Sequence, residues 1–146
     1  MSNNLKKFAL VPTIIHHLLD GDDNPMYAEL PPLPDGSPDL SRPMRAHMYG
    51  PGTKQYAKAQ AAQSNRSMDR FKKKGKANMT ADEQSTERAT FLAACTAQLE
   101  NVEVDELQGD ALAMAVYTDL ELVFIPMQLD KLIGDTANFT KASQTN

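Results

Sequence analysis

The most apolar part of the chain is its last third, between residues 110 and 142. Within it, apolar residues recur three and four positions apart: Leu122, Ile125, Leu129, Leu132 and Ile133. This spacing predicts a helix over residues 123–133 with one apolar stripe that faces a core. Pro126 then lies in the first helical turn, where proline removes no hydrogen bond, and Gly134 is the expected end of the helix.

Two shorter elements flank this helix. Residues 111–118 are rich in Ala, Leu and Met, and they predict a helix that Asp110 caps. Asp135 can cap a final turn in which Phe139 folds back onto the preceding elements. No candidate catalytic side chain belongs to this C-terminal helical module, which favours a binding function.

Capping residues predict two further helices. Thr53 is a suitable N-cap for a helix over residues 54–73, and Gly75 is a suitable end for it. That helix is polar on every side, which is typical of an exposed helix or of one that binds a partner. Residues 80–83 match a capping box and predict a helix over residues 81–99 that packs on the C-terminal module.

The segment between residues 25 and 51 holds seven of the nine prolines, which exclude long helices from it. Met26–Leu30 and Met44–Tyr49 alternate in side-chain character around a turn signal at residues 34–36. They predict a short antiparallel hairpin inside residues 26–49. Residues 5–19 fit either a short helix or a strand, and their periodicity does not separate the two.

Together these elements predict a mainly α protein with a short N-terminal β-hairpin, a small α+β fold that ends in a C-terminal helical module. We expect an extended, hairpin-containing region over residues 1–53 and a helical domain over residues 54–146. The two regions are expected to form a single compact unit with the hairpin as an extension. The predicted core consists of Leu92, Leu99, Leu112, Val116, Ile125, Leu129 and Leu132.

The net charge of −4 conceals two regions of opposite charge. Residues 54–76 carry eight Lys or Arg against one Asp, whereas residues 79–146 carry three basic against twelve acidic residues. The basic run over residues 66–76 suits a solvated helix end, a contact for a protein partner or a phosphate-binding site. Phe71 is its only aromatic residue, so no stacking platform accompanies the cations. We therefore expect any nucleic-acid binding to be weak and steeply salt-dependent.

No combination of residues in the sequence indicates catalysis, a cofactor or a metal. Cys95 is the single cysteine, and on a predicted helix it is expected to be a buried, inert thiol. His16 and His17 point to different faces of any regular element, and His47 has no ligand partner at a suitable spacing. Gly50 to Lys54 lacks the spacing of a phosphate-binding P-loop. We therefore expect a binding protein without cofactor or metal, and not an enzyme.

The N-terminal segment is a poor signal peptide. Lys6 and Lys7 precede an apolar run, but Pro12 and the two histidines interrupt that run, and no small-residue cleavage site follows. No apolar run reaches membrane-spanning length. These features predict a cytoplasmic protein that does not bind a membrane.

Two passages of the chain carry a family resemblance. The first is the predicted hairpin that runs into Gly50–Thr53 and then into a polar, Gln-rich helix that opens with Gln55–Ala59. The second comprises Tyr117–Asp119, Phe124, Ile125, Gln128, Leu132, Asp135 and Asn138–Thr140. In spacing and residue type, most of residues 26–142 resembles the tail assembly chaperones of long-tailed bacteriophages. Members often carry a Trp in the turn before the last module, whereas residues 99–109 contain none.

The resemblance implies a protein of the bacterial host cytoplasm that is made during infection and is absent from the mature virion. Such a chaperone would bind the long, helical tape-measure protein and recruit tail-tube subunits for polymerisation around it. These families commonly make a longer form by ribosomal frameshifting. Self-association is an open alternative for this chain.

Partner contacts are expected on the polar helix and the hairpin, with the methionines exposed to solvent. The candidate contact residues are Met44, Met48, Tyr56, Met68, Arg70 and Phe71. The alternative class of function is a small phage-encoded regulator or nucleic-acid-binding adaptor that acts through residues 66–76.

Overall fold

Four helices and a three-stranded antiparallel sheet form the part of the chain that the computed structural model describes, residues 3–75 and 78–144. In chain order the elements are β1 (Thr13–His17), β2 (Arg45–Tyr49), α1 (Lys54–Lys74), α2 (Ala81–Ala94), β3 (Thr96–Glu100), α3 (Gly109–Thr118) and α4 (Phe124–Ile133). Short 3-10 turns cover Lys6–Phe8, Leu120–Leu122, Thr136–Phe139 and Ala142–Gln144. The chain is a small α+β protein, as the sequence predicts.

The sheet has β2 at its centre, with β1 and β3 antiparallel on either side of it. Ile14 pairs with Met48 across β1 and β2, and both side chains are buried on the face that the helices cover. Ile15 and His47 pair on the opposite face, where Ile15 is 56% exposed. The alternation of buried and exposed positions is that of a sheet with one covered face.

The predicted hairpin inside residues 26–49 is wrong in one of its two strands. Met44–Tyr49 does contribute β2, but Met26–Leu30 forms no strand, and β2 pairs instead with β1. The β-branched side chains at the start of β1 favour that pairing, whereas prolines interrupt the segment that follows residue 24. That loop is tied to the rest by two isolated bridges, Leu19 with Pro25 and Tyr27 with Pro43. Met26 also exchanges backbone hydrogen bonds with its neighbours: its amide donates to the Leu18 carbonyl at 2.9 Å, and its carbonyl accepts from the Met44 amide at 3.0 Å.

The helix predicted over residues 81–99 ends earlier, at Ala94. Thr96 then begins β3, and its hydroxyl donates to the Leu92 carbonyl at 2.7 Å, which closes the last helical turn. Leu99 therefore lies on a strand opposite Ala46, and it is half-buried. The sheet crosses the boundary predicted between residues 53 and 54, because β3 comes from the second of the two regions.

Local capping signals set most helix ends as predicted. The Thr53 hydroxyl accepts from the Tyr56 amide at 3.2 Å, and Gly75 ends α1 in the left-handed conformation with a φ of 70°. Thr80 forms the expected capping box with Glu83 at the start of α2. The predicted cap of α3 is wrong: Gln108 occupies the N-cap position, and Asp110 lies inside the first turn.

The core fills the space between the covered face of the sheet and helices α2, α3 and α4. Five of the seven predicted core residues are buried, while Leu99 and Leu132 are partly buried against the others. The final turn does fold back as predicted, since Asp135 caps it and Phe139 is fully buried. No helix within the described ranges combines the length and the apolar character that crossing a bilayer requires.

Candidate interaction surface

Helix α1 attaches to the body of the protein along one narrow strip. Ala59 is its only buried residue among those described. Nearby, the Tyr56 ring meets the Phe91 ring edge to face, with 5.6 Å between centroids. The helix has 21 residues and is about 30 Å long. Most of its described residues are exposed to solvent.

An ionic cluster fixes the second half of α1 to α2. Arg66 and Arg70 both donate to the Glu87 carboxylate, with nitrogen-to-oxygen distances of 2.6 Å and 3.0 Å. Glu87 is a buried residue, and the bond from Arg66, opposed by burial and assisted by Arg70, lowers its pKa. A third cation, Lys74, binds Glu83 at 3.0 Å. Much of the basic run therefore serves to hold two helices together.

We expect Glu87→Gln to lower the free energy of unfolding at neutral pH by about 1–3 kcal/mol, because it removes the buried charge to which two half-buried guanidinium groups donate. A carboxyl whose pKa is depressed by folding stabilises the protein above its unfolded pKa, near 4.5, and that stability is lost as pH falls through the folded pKa. The substitution should therefore also flatten the acid side of the stability-versus-pH curve, measured by urea unfolding.

Glu103→Gln is the matched control for this prediction. Glu103 has its only described ion pair with Arg42, at 3.9 Å, and its side chain is 81% exposed. An exposed pair of this kind contributes little, so stability should stay nearly constant. Equal losses in both variants would show that the Glu87 cluster contributes no more than a surface pair.

The opposite side of α1 carries an exposed apolar patch, which we call the Met68–Phe71 patch. Both side chains are 58% exposed, and their spacing of three residues places them side by side on the helix. Together with Ser67 and Lys72 they line a recess of about 260 Å³. The ionic cluster on the other face fixes the rotation of α1, so this patch is presented to solvent.

The other candidate contact residues lie elsewhere. The expectation that Met48 is exposed is wrong: it is fully buried in the core, where the Thr96 hydroxyl approaches its sulfur at 3.5 Å. Met44 was also expected to be exposed, but it is half-buried because it packs against the core. Arg70 is bound to Glu87. Lys76, the last cation of the basic run over residues 66–76, lies outside the described residues. Of the six candidates, the structure brings Met68 and Phe71 together on an exposed face.

The side chains considered for chemistry have structural partners. His16 bonds to Gln128 at 2.9 Å, His17 donates to the Met26 carbonyl at 2.7 Å, and His47 bonds to Glu100 at 3.0 Å. Cys95 is buried as expected, and burial raises the pKa of its thiol to about 12, so it is protonated at neutral pH. Across residues 3–75 and 78–144 no three metal-ligating side chains come together.

A second concave feature, which the sequence reasoning missed, borders the outer side of β3. This groove has a volume of about 920 Å³. The β3 residues 96–99, the loop over residues 102–108 and the start of α3 form its walls. The signal that could have indicated it is the stretch between Arg88 and Lys131, which contains no basic residue while carboxylates accumulate in it.

The chain matches no protein-family model, and no curated protein or solved structure shows significant similarity to it.

Proposed function

We propose that the chain is a tail assembly chaperone of a long-tailed bacteriophage, active in the host cytoplasm, which binds the tape-measure protein and recruits tail-tube subunits. The observation that supports this most is the Met68–Phe71 patch, held outward by the ionic cluster on the other face of α1. The resemblance of two passages of the sequence to such chaperones supplies the identity of the partner.

The physical basis of the proposal is that the chaperone shields apolar surface of its partner from water. A tape-measure protein is a long helix whose apolar stripes would aggregate in water if left exposed. Methionine adapts to irregular apolar partners, and an aromatic ring adds contact area with few rotatable bonds. A rigid helix about 30 Å long that carries both side chains can lie along several turns of such a partner.

The alternative, a nucleic-acid-binding adaptor that acts through residues 66–76, has less support. Two of its cations, Arg66 and Arg70, are engaged by Glu87, and Lys74 is engaged by Glu83. Lys72 and Lys73 are exposed on the same helix. In the described part of this run, two adjacent lysines with one neighbouring aromatic ring make a weak site for a phosphate backbone.

Replacing both Met68 and Phe71 by Asp should weaken binding to the cognate tape-measure protein by at least about thirtyfold, since two central apolar contacts are lost and charges are placed in the interface. Binding is measured with the co-expressed and purified pair by titration, and solubility of the tape-measure protein is followed in parallel. The helix should keep its stability, because both side chains are exposed.

The matched control carries Asp at Gln55 and Ala62, two exposed positions on another face of α1. It makes the same change in charge on the same helix and should bind as the wild type does. Equal binding by both variants would contradict the assignment of the surface. Phage that lack this gene and still build tails of normal length would contradict the function itself.

A further inference from the structure

The outer side of β3 is a free sheet edge. In the described part of the chain, β3 pairs with β2 alone, and no further strand lies beyond it. Ala97 and Gln98 at this edge are exposed. A strand with one unpaired side offers backbone donors and acceptors to another extended chain.

The groove beside this edge has an apolar floor and an acidic rim. Leu99, Val102 and Leu112 line the floor, and all three are at least partly buried. The rim carries four carboxylates, all on exposed residues: Glu103, Asp105, Glu106 and Asp110. No basic side chain lines the groove in the described residues. Arg42, 3.9 Å from Glu103, is the one described cation that pairs with any of the four.

We propose that this groove binds an extended segment of a partner protein that alternates basic and apolar residues, which adds to β3 as a fourth strand. Side chains of an added strand alternate in direction, so its apolar residues meet the floor while Lys or Arg residues reach the rim. Charge complementarity selects a basic occupant over a neutral or acidic one. This site is distinct from the Met68–Phe71 patch, and the proposal does not depend on the proposed function.

The shape of the groove favours an extended chain over other occupants. β3 has five residues, which matches the length over which a short peptide strand pairs. The recess beside β1, at the other edge of the sheet, is smaller: it measures about 300 Å³, and Ser143 and Gln144 border it. The groove at β3 is about three times larger and has backbone, apolar floor and charge together.

The test uses a fluorescein-labelled peptide of about seven residues in which Lys alternates with Val, titrated with the full-length protein by fluorescence anisotropy. We expect saturable binding, with amide shifts in the nuclear magnetic resonance spectrum concentrated at residues 96–99. A peptide of the same sequence with N-methylated backbone amides on its pairing side should bind at least about tenfold more weakly, because it keeps the charges but cannot pair as a strand. A version with Glu in place of Lys should weaken to the same degree.

The protein variant Glu103→Gln, Asp105→Asn, Glu106→Gln removes three rim charges and should also weaken binding by at least about tenfold. Asn suits position 105, where φ is 51°, because it tolerates the left-handed region. The matched control neutralises three exposed carboxylates outside the groove, Asp22, Glu29 and Asp69, and should bind as the wild type does. Circular dichroism checks that each variant is folded.

Four results would overturn the proposal. The first is no binding of the Lys–Val peptide at millimolar concentration, and the second is equal binding of the N-methylated peptide. The third is an equal loss of peptide binding in both triple variants. The fourth is a dimer in sedimentation that the rim variant abolishes. The dimer would assign the edge to a second copy of this chain. The Met68→Asp, Phe71→Asp variant should retain full peptide binding, so failure of the proposed function and failure of this inference are separate outcomes.

Discussion

Replacing Leu129 by Ala should lower the free energy of unfolding by about 2–5 kcal/mol. Leu129 lies on α4 with no exposed surface, in the core that joins this helix to α2 and α3. The substitution removes three carbon atoms from a closed site and leaves a cavity that the surrounding side chains fill only in part. Chemical denaturation monitored by circular dichroism measures the loss.

Met127→Ala is the matched control on the same helix. Met127 is 54% exposed, so its truncation should change stability by less than about 0.5 kcal/mol. A loss that small for Leu129→Ala would show that the α4 stripe does not pack in a closed core in solution.

Phe139→Ala should lower the free energy of unfolding by about 3–5 kcal/mol, because a fully buried ring is removed from the core. The ring lies directly against Gly50: a Cβ added there would come within 2.3 Å of its Cδ1 atom. Gly50→Ala should therefore cost about 1–3 kcal/mol through overpacking. Each single variant is measured by thermal and chemical unfolding.

The double variant distinguishes this packing from an effect of glycine on the backbone alone. With the ring gone, the added methyl group at position 50 meets no aromatic carbon and partly fills the vacated space. The loss for the double variant should then be smaller than the sum of the two single losses by at least about 1 kcal/mol. Additive losses would contradict the contact between Gly50 and Phe139.

Features that depend on a few adjacent residues were predictable from the sequence. The Thr53 cap, the Thr80–Glu83 capping box, the Gly75 end and the position of Pro126 in the first turn of α4 each require only local geometry. The apolar stripe of α4 was likewise predictable, because a spacing of three and four residues follows directly from the number of residues in a helical turn.

Features that depend on distant residues were not predictable in the same way. Leu92, Thr96 and Leu99 keep a helical spacing, so nothing local indicates that α2 ends at Ala94. The strand that follows forms because β2, about fifty residues earlier in the chain, provides a partner for it. The choice of β1 over Met26–Leu30 as the other partner of β2 is also a long-range competition.

The candidate surfaces divide in the same manner. Exposure of Met68 and Phe71 follows from a helix that is polar all round, whereas burial of Met48 follows from its pairing with Ile14 on the covered face of the sheet. The groove at β3 could be predicted only from the knowledge that residues 96–100 form a strand. Its acidic rim was visible in the sequence as a run of carboxylates, but a charge run alone does not show that a sheet edge lies beside it.

Phe139 packs against Gly50, so this contact can form only after the intervening 50–139 segment has been synthesised. A ribosome adds roughly 5–20 residues per second. Phe139 is therefore synthesised roughly 4–18 s after Gly50, the residue against which it packs. Through most of that interval β2 also lacks β3, and the hairpin of β1 and β2 is marginal without further packing. Nascent chains crowded on one messenger therefore expose unpaired strand edges to each other, and slower translation between codons 50 and 139 lengthens that exposure.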